Sequence, residues 1–479
     1  MTERQRKGRR RADRRGPSIA KASLVGFLVL APVHAAAQSP SSADEARAAF
    51  ERLEAARAAA FDGDAAARFR AADAAVDSAA ADLRQIEAAV VAAVQAERAA
   101  VWGEPTVDER FVWIEYGEGG RERRQVDFAR EALVFETLDG EIGLDGLRRR
   151  VRAALVEGVD EAVARDPIAR EIESRAADSM ADEAPLESAP LASTPILWPL
   201  LTGDAALDPA ALDAVVGLLV ARAQRREVEI GRETMQQVEI PLDPATVLAQ
   251  LERLQRGDFA APMPGFTPQA IPRPVLPEVE PEPPPSRAEA PPAGRPPPLP
   301  RRFPARARSY LELVDRHARA RSLDPALVFA IIETESAFNP LARSPAPAYG
   351  LMQIVPRSAG KDASAVLYGR PRLLAPSYLY DAERNVQIGA IYLDIVLNRY
   401  LAGIRDPRSR LYCAIAAYNT GAGNVFRAFT GRTRPKAAFR EINALSPEDV
   451  YRKLVWQLPY RETRRYLTNV VQRMDKYRR

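Results

Sequence analysis

Two carboxylates two residues apart, Glu333 and Glu335, stand in the apolar stretch VFAIIETESAFNP, residues 328–340. An ionised carboxylate taken out of water is costly unless it finds a partner or keeps its proton. The stretch reads as a helix over 325–338, with Asp324 as its cap and Pro325 in its first turn. Residues two apart on a helix face different ways, so the two acids do not form a close pair. Glu335 shares its face with Ile331, Ile332 and Phe338. That setting raises a carboxyl pKa, which suits a general acid at neutral pH. It equally suits a structural acid held by hydroxyls or an arginine, and spacing alone leaves both readings open.

Scarce residues narrow the chemistry. Cys413 is the single cysteine, within the apolar helical stretch LYCAIAAYN, and His34 and His317 are the two histidines. A Cys-His nucleophile, a Ser-His-Asp triad, a multi-histidine metal site and an internal disulfide are thereby disfavoured. If the chain is an enzyme, its chemistry must rest on carboxylates, hydroxyls, amides and tyrosines. The net charge of +4 hides a polarised chain: residues 305–479 carry 29 Lys and Arg against 15 acids. A basic C-terminal third suits an anionic polymer or surface as partner, or merely a solubilising charge.

The elements that must position such a site divide the 479 residues into four parts. Residues 1–37 have a basic start, the apolar ASLVGFLVLAPV and a small-residue end, Ala35-Ala36-Ala37, as in a secretory signal. The expected address is the periplasm, with an uncleaved inner-membrane anchor as the alternative; no cysteine stands near the cleavage point to carry lipid. Residues 38–257 open with Ala-rich helical sequence broken near Asp62-Gly63-Asp64. They continue as an α+β region with a hairpin over 111–138 and a strand pair or one long strand over 226–242. Nothing in that region looks catalytic. Residues 258–304 are Pro-rich, an extended spacer expected to hold one domain away from another. Residues 305–479 have helical period throughout and read as a compact all-α domain.

Downstream of Glu335 come Ser344 and Gln353 within LARSPAPAYGLMQIVP, then AAYNTGAG at 416–423 and LPYRETRRYL at 458–467. This ordered set resembles the lytic murein transglycosylases of the soluble-lytic-transglycosylase type. The likeness extends, within the membrane-bound type C branch of that family, to SAGKD at 358–362 and SPEDVY at 446–451. More loosely it reaches the upstream region from Trp102-Gly103-Glu104.

The resemblance implies a goose-type lysozyme-like catalytic domain with Glu335 as catalytic acid and base. It implies substrate-binding roles for Ser344, Met352, Gln353, Tyr418, Asn419, Glu462 and Tyr466. Asn419 holding a turn and Glu462 pairing with a nearby arginine are the bland readings of those two. The implied substrate is the peptidoglycan glycan strand, not nucleic acid, with cell-wall or envelope proteins as candidate partners of the N-terminal region and the spacer. Pro347 and Thr420 depart from the family pattern, which points to altered substrate fit. A hydrolytic glycosidase ordinarily needs two carboxylates. Only one is placed here, which suits the family's reaction, where the substrate supplies the nucleophile and a 1,6-anhydromuramic acid end forms. A non-catalytic wall-binding protein is the rival reading, and a wall-opening enzyme for a secretion machine shares the chemistry.

Overall fold

The computed structural model describes residues 63–103, 109–179, 186–202, 209–230, 233–256 and 303–478. The signal expected at 1–37, the helical sequence before Gly63 and nearly all of the Pro-rich spacer lie outside the described residues.

Alanine-rich sequence without breakers forms one 40-residue helix, Gly63–Trp102, about 60 Å long at helical rise. Val76, Ala79, Ala80, Leu83 and Val90 recur at helical spacing on its buried face, where they meet Ile168, Ile172 and Ala176 of the helix Pro167–Ser179.

The sheet has five antiparallel strands in the order β1-β2-β3-β6-β5. These are β1 (Val112–Tyr116), β2 (Glu122–Asp127), β3 (Ala132–Thr137), β5 (Gln224–Ile230) and β6 (Glu233–Pro241). The short strands β4 (Leu186–Glu187) and β7 (Leu373–Leu374) form a separate parallel pair. The single hairpin expected over 111–138 is a three-stranded meander. Its first turn uses Gly117, Gly119 and Gly120, the last two at positive φ. Its second turn has no glycine: Glu131 takes a left-handed φ of 54°, and the Asp127 carboxylate accepts from the Arg130 N–H at 2.8 Å. That side-chain-closed turn explains why it reads as continuous strand. The 226–242 stretch is a strand pair, with Phe135 of β3 opposite Val238 of β6.

Residues 303–478 are helical apart from loops and β7. At their centre the helix Pro325–Glu335 buries nearly every side chain and packs along the last helix, Arg461–Tyr477. Phe303, Phe329, Phe338 and Tyr477 close an aromatic cluster between them.

The expectation that the spacer holds two domains apart is corrected here. Residues 68–479 are one compact unit, and one hydrophobic core runs from Trp113 and Leu133 through to Leu467 and Tyr477. Polar stitches cross the seam. Tyr349 donates to Glu87 at 2.8 Å, Arg306 donates to the Phe128 carbonyl at 2.7 Å, and Arg343 pairs with Asp166 at 2.8 Å and with Glu109. Among the described residues no helix is long and apolar enough to cross a membrane.

Candidate active site

Asp324 caps the central helix by accepting from the Ala326 N–H at 2.9 Å, with Pro325 in the first turn. The far end differs from expectation. The helix stops at Glu335, and Ala337 and Phe338 both adopt left-handed φ values, 51° and 69°. Such a conformation costs non-glycine residues about 1 kcal/mol or more. Ser336, fully buried, holds it: its single O–H lies within reach of the carbonyls of Leu351 (2.8 Å) and Ile332 (3.0 Å), and its oxygen accepts from the Phe338 N–H (3.2 Å). Phe338 therefore leaves the helix face assigned to it, although it remains buried. The reversal leaves Glu335 as the last helical residue, where the carbonyl end of the helix dipole opposes a second negative charge.

Glu335 is 7% exposed. Burial pushes its pKa up to about 7; the Tyr466 hydroxyl and the Arg110 charge pull it down, and Glu462 pushes it further up. Tyr466 is buried against the carboxyl, yet its hydroxyl makes no well-aligned hydrogen bond to any described group. Glu333, two residues earlier, lives differently. It accepts from Lys476 and Tyr477, both at 2.7 Å, and from Arg306 at 3.3 Å, with Arg473 at 3.7 Å. Burial favours its neutral form, but those donors and charges hold its pKa below the usual carboxylate value.

The helix Pro407–Thr420 supplies Tyr418, whose hydroxyl donates to the Met352 carbonyl at 2.9 Å. Its ring lies 5.5 Å from that of Tyr392, and the Glu335 charge reaches it. Met352 is fully buried; its N–H donates to Asn385 Oδ1 at 2.8 Å. Its thioether fills the space beside Gly389, where an added Cβ would lie 2.3 Å from the sulfur. Gln353, at φ 49°, clips its own turn by donating to the carbonyls of Ala342 (3.0 Å) and Gly350 (3.1 Å). Among the described residues its Oε1 has no hydrogen-bond donor. Gly350 is required at that turn: at φ 74°, a Cβ would meet the Leu379 carbonyl and the Asn385 amide at 2.3 Å.

Ser344 sits half-buried in the loop that carries Pro345 and Pro347, its hydroxyl turned to the Ala346 carbonyl. Asn419 accepts from Thr463 Oγ1 at 2.7 Å, which ties its helix to the last one. Glu462 is largely exposed and pairs with Arg110 at 3.2 Å. The fold thus gathers Tyr418, Glu462 and Tyr466 around the Glu335 carboxyl, while Ser344 and Gln353 belong to the adjoining loop. Among the described residues no cluster of His, Cys, Asp or Glu could hold a metal. A cavity of about 380 Å³ lined by Arg98, Trp113, Tyr116 and Arg165 contains none of these site residues.

Arg110 is the residue that sequence reasoning missed. It lies in the region where nothing looked catalytic and belongs to no motif. Only its position beside the strand start Phe111-Val112-Trp113 marks it.

Residues 312–439 match the family model described as the Transglycosylase SLT domain. The chain is 44% identical over 184 residues to membrane-bound lytic murein transglycosylase C of Pectobacterium atrosepticum, covering 38% of this chain and 50% of that protein. It is 45% identical over 174 residues to the protein of that name from Actinobacillus succinogenes, covering 36% and 48%. It spans about half the length of the curated relatives it matches. The 70 kDa soluble lytic transglycosylase of Escherichia coli is 27% identical over 37% of this chain and 26% of its own, with a TM-score of 0.28, too low to carry a statement about fold. The chain therefore carries a transglycosylase SLT domain, with Glu335, Ser344, Met352, Gln353, Tyr418 and Asn419 inside the matched residues and Arg110, Glu462 and Tyr466 outside them.

Proposed function

We propose that this chain is a peptidoglycan lytic transglycosylase and that Glu335 carries its chemistry. The observation behind the reading is one buried carboxyl, poised at a pKa of about 7, inside a transglycosylase SLT domain. Near neutral pH such a group is close to half protonated, so it can give a proton and take one back in a single cycle. Among the described residues, the acids nearest Glu335 are not placed as a buried catalytic partner. Glu333 is consumed by cations and Glu462 is solvent-exposed. That favours a reaction in which the substrate is its own nucleophile over two-carboxylate hydrolysis.

The protonated Glu335 donates to the glycosidic oxygen between N-acetylmuramic acid and N-acetylglucosamine, and the C1–O bond breaks as the muramic acetamido oxygen attacks C1. The Glu335 carboxylate then removes the C6 hydroxyl proton. O6 displaces the acetamido oxygen, and the 1,6-anhydro ring closes with Glu335 protonated again. Tyr418 and Tyr466 shape the pocket around the acid. Gln353 and Ser344 bind sugar from the adjoining loop once their side chains turn toward the cleft, Asn419 and Thr463 brace the wall, and Met352 backs it.

The reading includes a goose-type lysozyme-like catalytic domain over 305–479, an N-terminal region over 38–257, a Pro-rich linker over 258–304 and a secretory signal at 1–37 that directs the chain to the periplasm. Peptidoglycan strands are the substrate, and envelope proteins are candidate partners of the N-terminal region. Digestion of purified sacculi followed by mass spectrometry of the muropeptides tests the chemistry. Anhydromuramic ends are the expected product. Reducing muramic acid ends would make the protein a hydrolase, and Glu335→Gln is expected to lower product release by about 10²-fold or more.

A further inference from the structure

The backbone at Glu109 and Arg110 is fastened to the loop that follows the central helix. Glu109 and Arg343 form an antiparallel bridge, with the Glu109 N–H donating to the Arg343 carbonyl at 3.1 Å. The Asn339 side-chain amide donates to the carbonyls of Glu109 (3.4 Å) and Arg110 (3.2 Å). The Glu109 carboxylate is itself held by Arg343 and, at 3.1 Å, by Arg98. A segment from the N-terminal region is therefore anchored within a few residues of Glu335. From that anchor the Arg110 guanidinium reaches Glu462 Oε1 at 3.2 Å, in the first turn of the helix that presents Tyr466 one turn later. Arg110 is about a quarter exposed, while Glu462 is mostly in solvent.

We propose that Arg110 is a positioning residue of the active site, lent by the N-terminal region, that grips Glu462 and sets its charge against the nearby Glu335 carboxyl. The proposal rests on the reading of Glu335 as the acid and base. Giving up its proton leaves Glu335 with a negative charge in a buried pocket, and Arg110 supplies the opposing charge at the moment it forms. Glu462 tempers that help, because it draws on the same guanidinium and repels the new carboxylate.

Among the described residues, the groups acting on Glu335 come from several elements. Tyr466 and Glu462 come from the last helix, Arg110 from the N-terminal segment, and Tyr418 from the helix Pro407–Thr420 with Tyr392 behind it. Arg473 acts on Tyr466. Glu335 is the group of this set that titrates near neutrality, since burial drives both tyrosine hydroxyls upward.

The test is the pH profile of anhydromuropeptide release by the full chain, with the Glu335 titration followed in parallel by NMR of 13C-glutamate-labelled protein, its signal identified by loss in Glu335→Gln. Arg110→Gln should move the alkaline limb and the carboxyl titration to higher pH by about half a unit. Glu462→Gln should move both to lower pH, the double variant should return close to wild type, and Arg110→Lys should leave both in place. A merely structural Arg110 would lower the rate without opposite shifts. Shifts of Arg110→Gln and Glu462→Gln in the same direction, or no shift in either, would overturn the proposal. If Arg110→Gln fails to fold, Arg110→Met, which keeps the apolar stem, takes its place with the same upward shift expected. If Glu335→Gln keeps full sacculus-degrading activity, the catalytic reading has failed, and the carboxyl titration still decides whether Arg110 and Glu462 act on Glu335.

Discussion

Two carboxyls on one helix occupy opposite electrostatic regions. Glu333 faces a cluster of Lys476, Arg473, Arg306 and Tyr477 and is held ionised. Glu335 faces tyrosine hydroxyls and a shared, outward-reaching arginine, and is pushed toward its neutral form. Both are almost equally buried, at 6% and 7%. Burial therefore does not separate a structural acid from a reactive one; the supply of cations and N–H donors does. The last helix serves both regions, with Tyr466 near its start facing Glu335 and Lys476 and Tyr477 at its end facing Glu333. One helix thus carries the parts of the site and the clamp that holds its partner helix.

The sharpest way to break this contrast is to remove Glu333. Glu333→Ala strips the counter-ion from two lysine or arginine side chains that are about a third exposed and from the more buried Arg306. A broken buried pair costs about 3–5 kcal/mol, and solvent around Lys476 and Arg473 keeps the loss toward the lower end. The urea midpoint at pH 7 should fall accordingly. Because the folded-state pKa is lowered, the Glu333 contribution is present above the unfolded value of 4.5 and is lost as pH falls through the folded one. The difference between wild type and variant should therefore shrink on acidification below about pH 4.5. A difference that persists undiminished at pH 3 would show that packing, not charge, sets the loss.

Glu335 should behave in the opposite sense. Its folded pKa is raised from 4.5 to about 7, so the folded state is fully stable below pH 4.5 and loses stability as pH rises through about 7. The penalty at pH 8 is on the order of 3 kcal/mol. Glu335→Gln should thus be more stable than wild type at pH 8 and nearly equal to it at pH 4.5, while losing activity at every pH. Equal unfolding midpoints at both pH values would mean that Glu335 is not desolvated in the folded protein.

Much of this site is legible from residue order, because Glu335, Gln353, Tyr418 and Tyr466 sit in short motifs with local backbone requirements. The helix over 325–335 announces its start through Asp324-Pro325, but its end is hidden. Ala337 and Phe338 carry no sign of left-handed geometry, which tertiary bonds from Ser336 impose. The packing of the N-terminal region on the SLT domain is hidden for a related reason. Arg343, Lys361, Glu109 and Asp166 look like ordinary surface charges in sequence and become buried or bridging only when distant segments meet. Arg110 is the extreme case, paired with a residue 352 positions away.

A second buried carboxyl, Glu87, supplies the finest discrimination. Burial raises it to about 7 as well, and its hydrogen bond from Tyr349 at 2.8 Å opposes the rise. By pKa alone Glu87 and Glu335 are alike. Yet Glu87 lies on the helix Gly63–Trp102, at the seam with the turn that holds Gly350 and Gln353, and is 2% exposed. Glu87→Gln keeps an acceptor for Tyr349 and removes the cost of ionisation. It should raise the unfolding midpoint at pH 8 by a gain on the order of 3 kcal/mol that vanishes near pH 4.5. Anhydromuropeptide release should stay within about twofold of wild type, since no proton transfer passes through this group. A collapse of activity in Glu87→Gln, with the midpoint raised as expected, would mean that the seam controls the Gln353 turn and that the contrast between the two acids is one of distance, not of role.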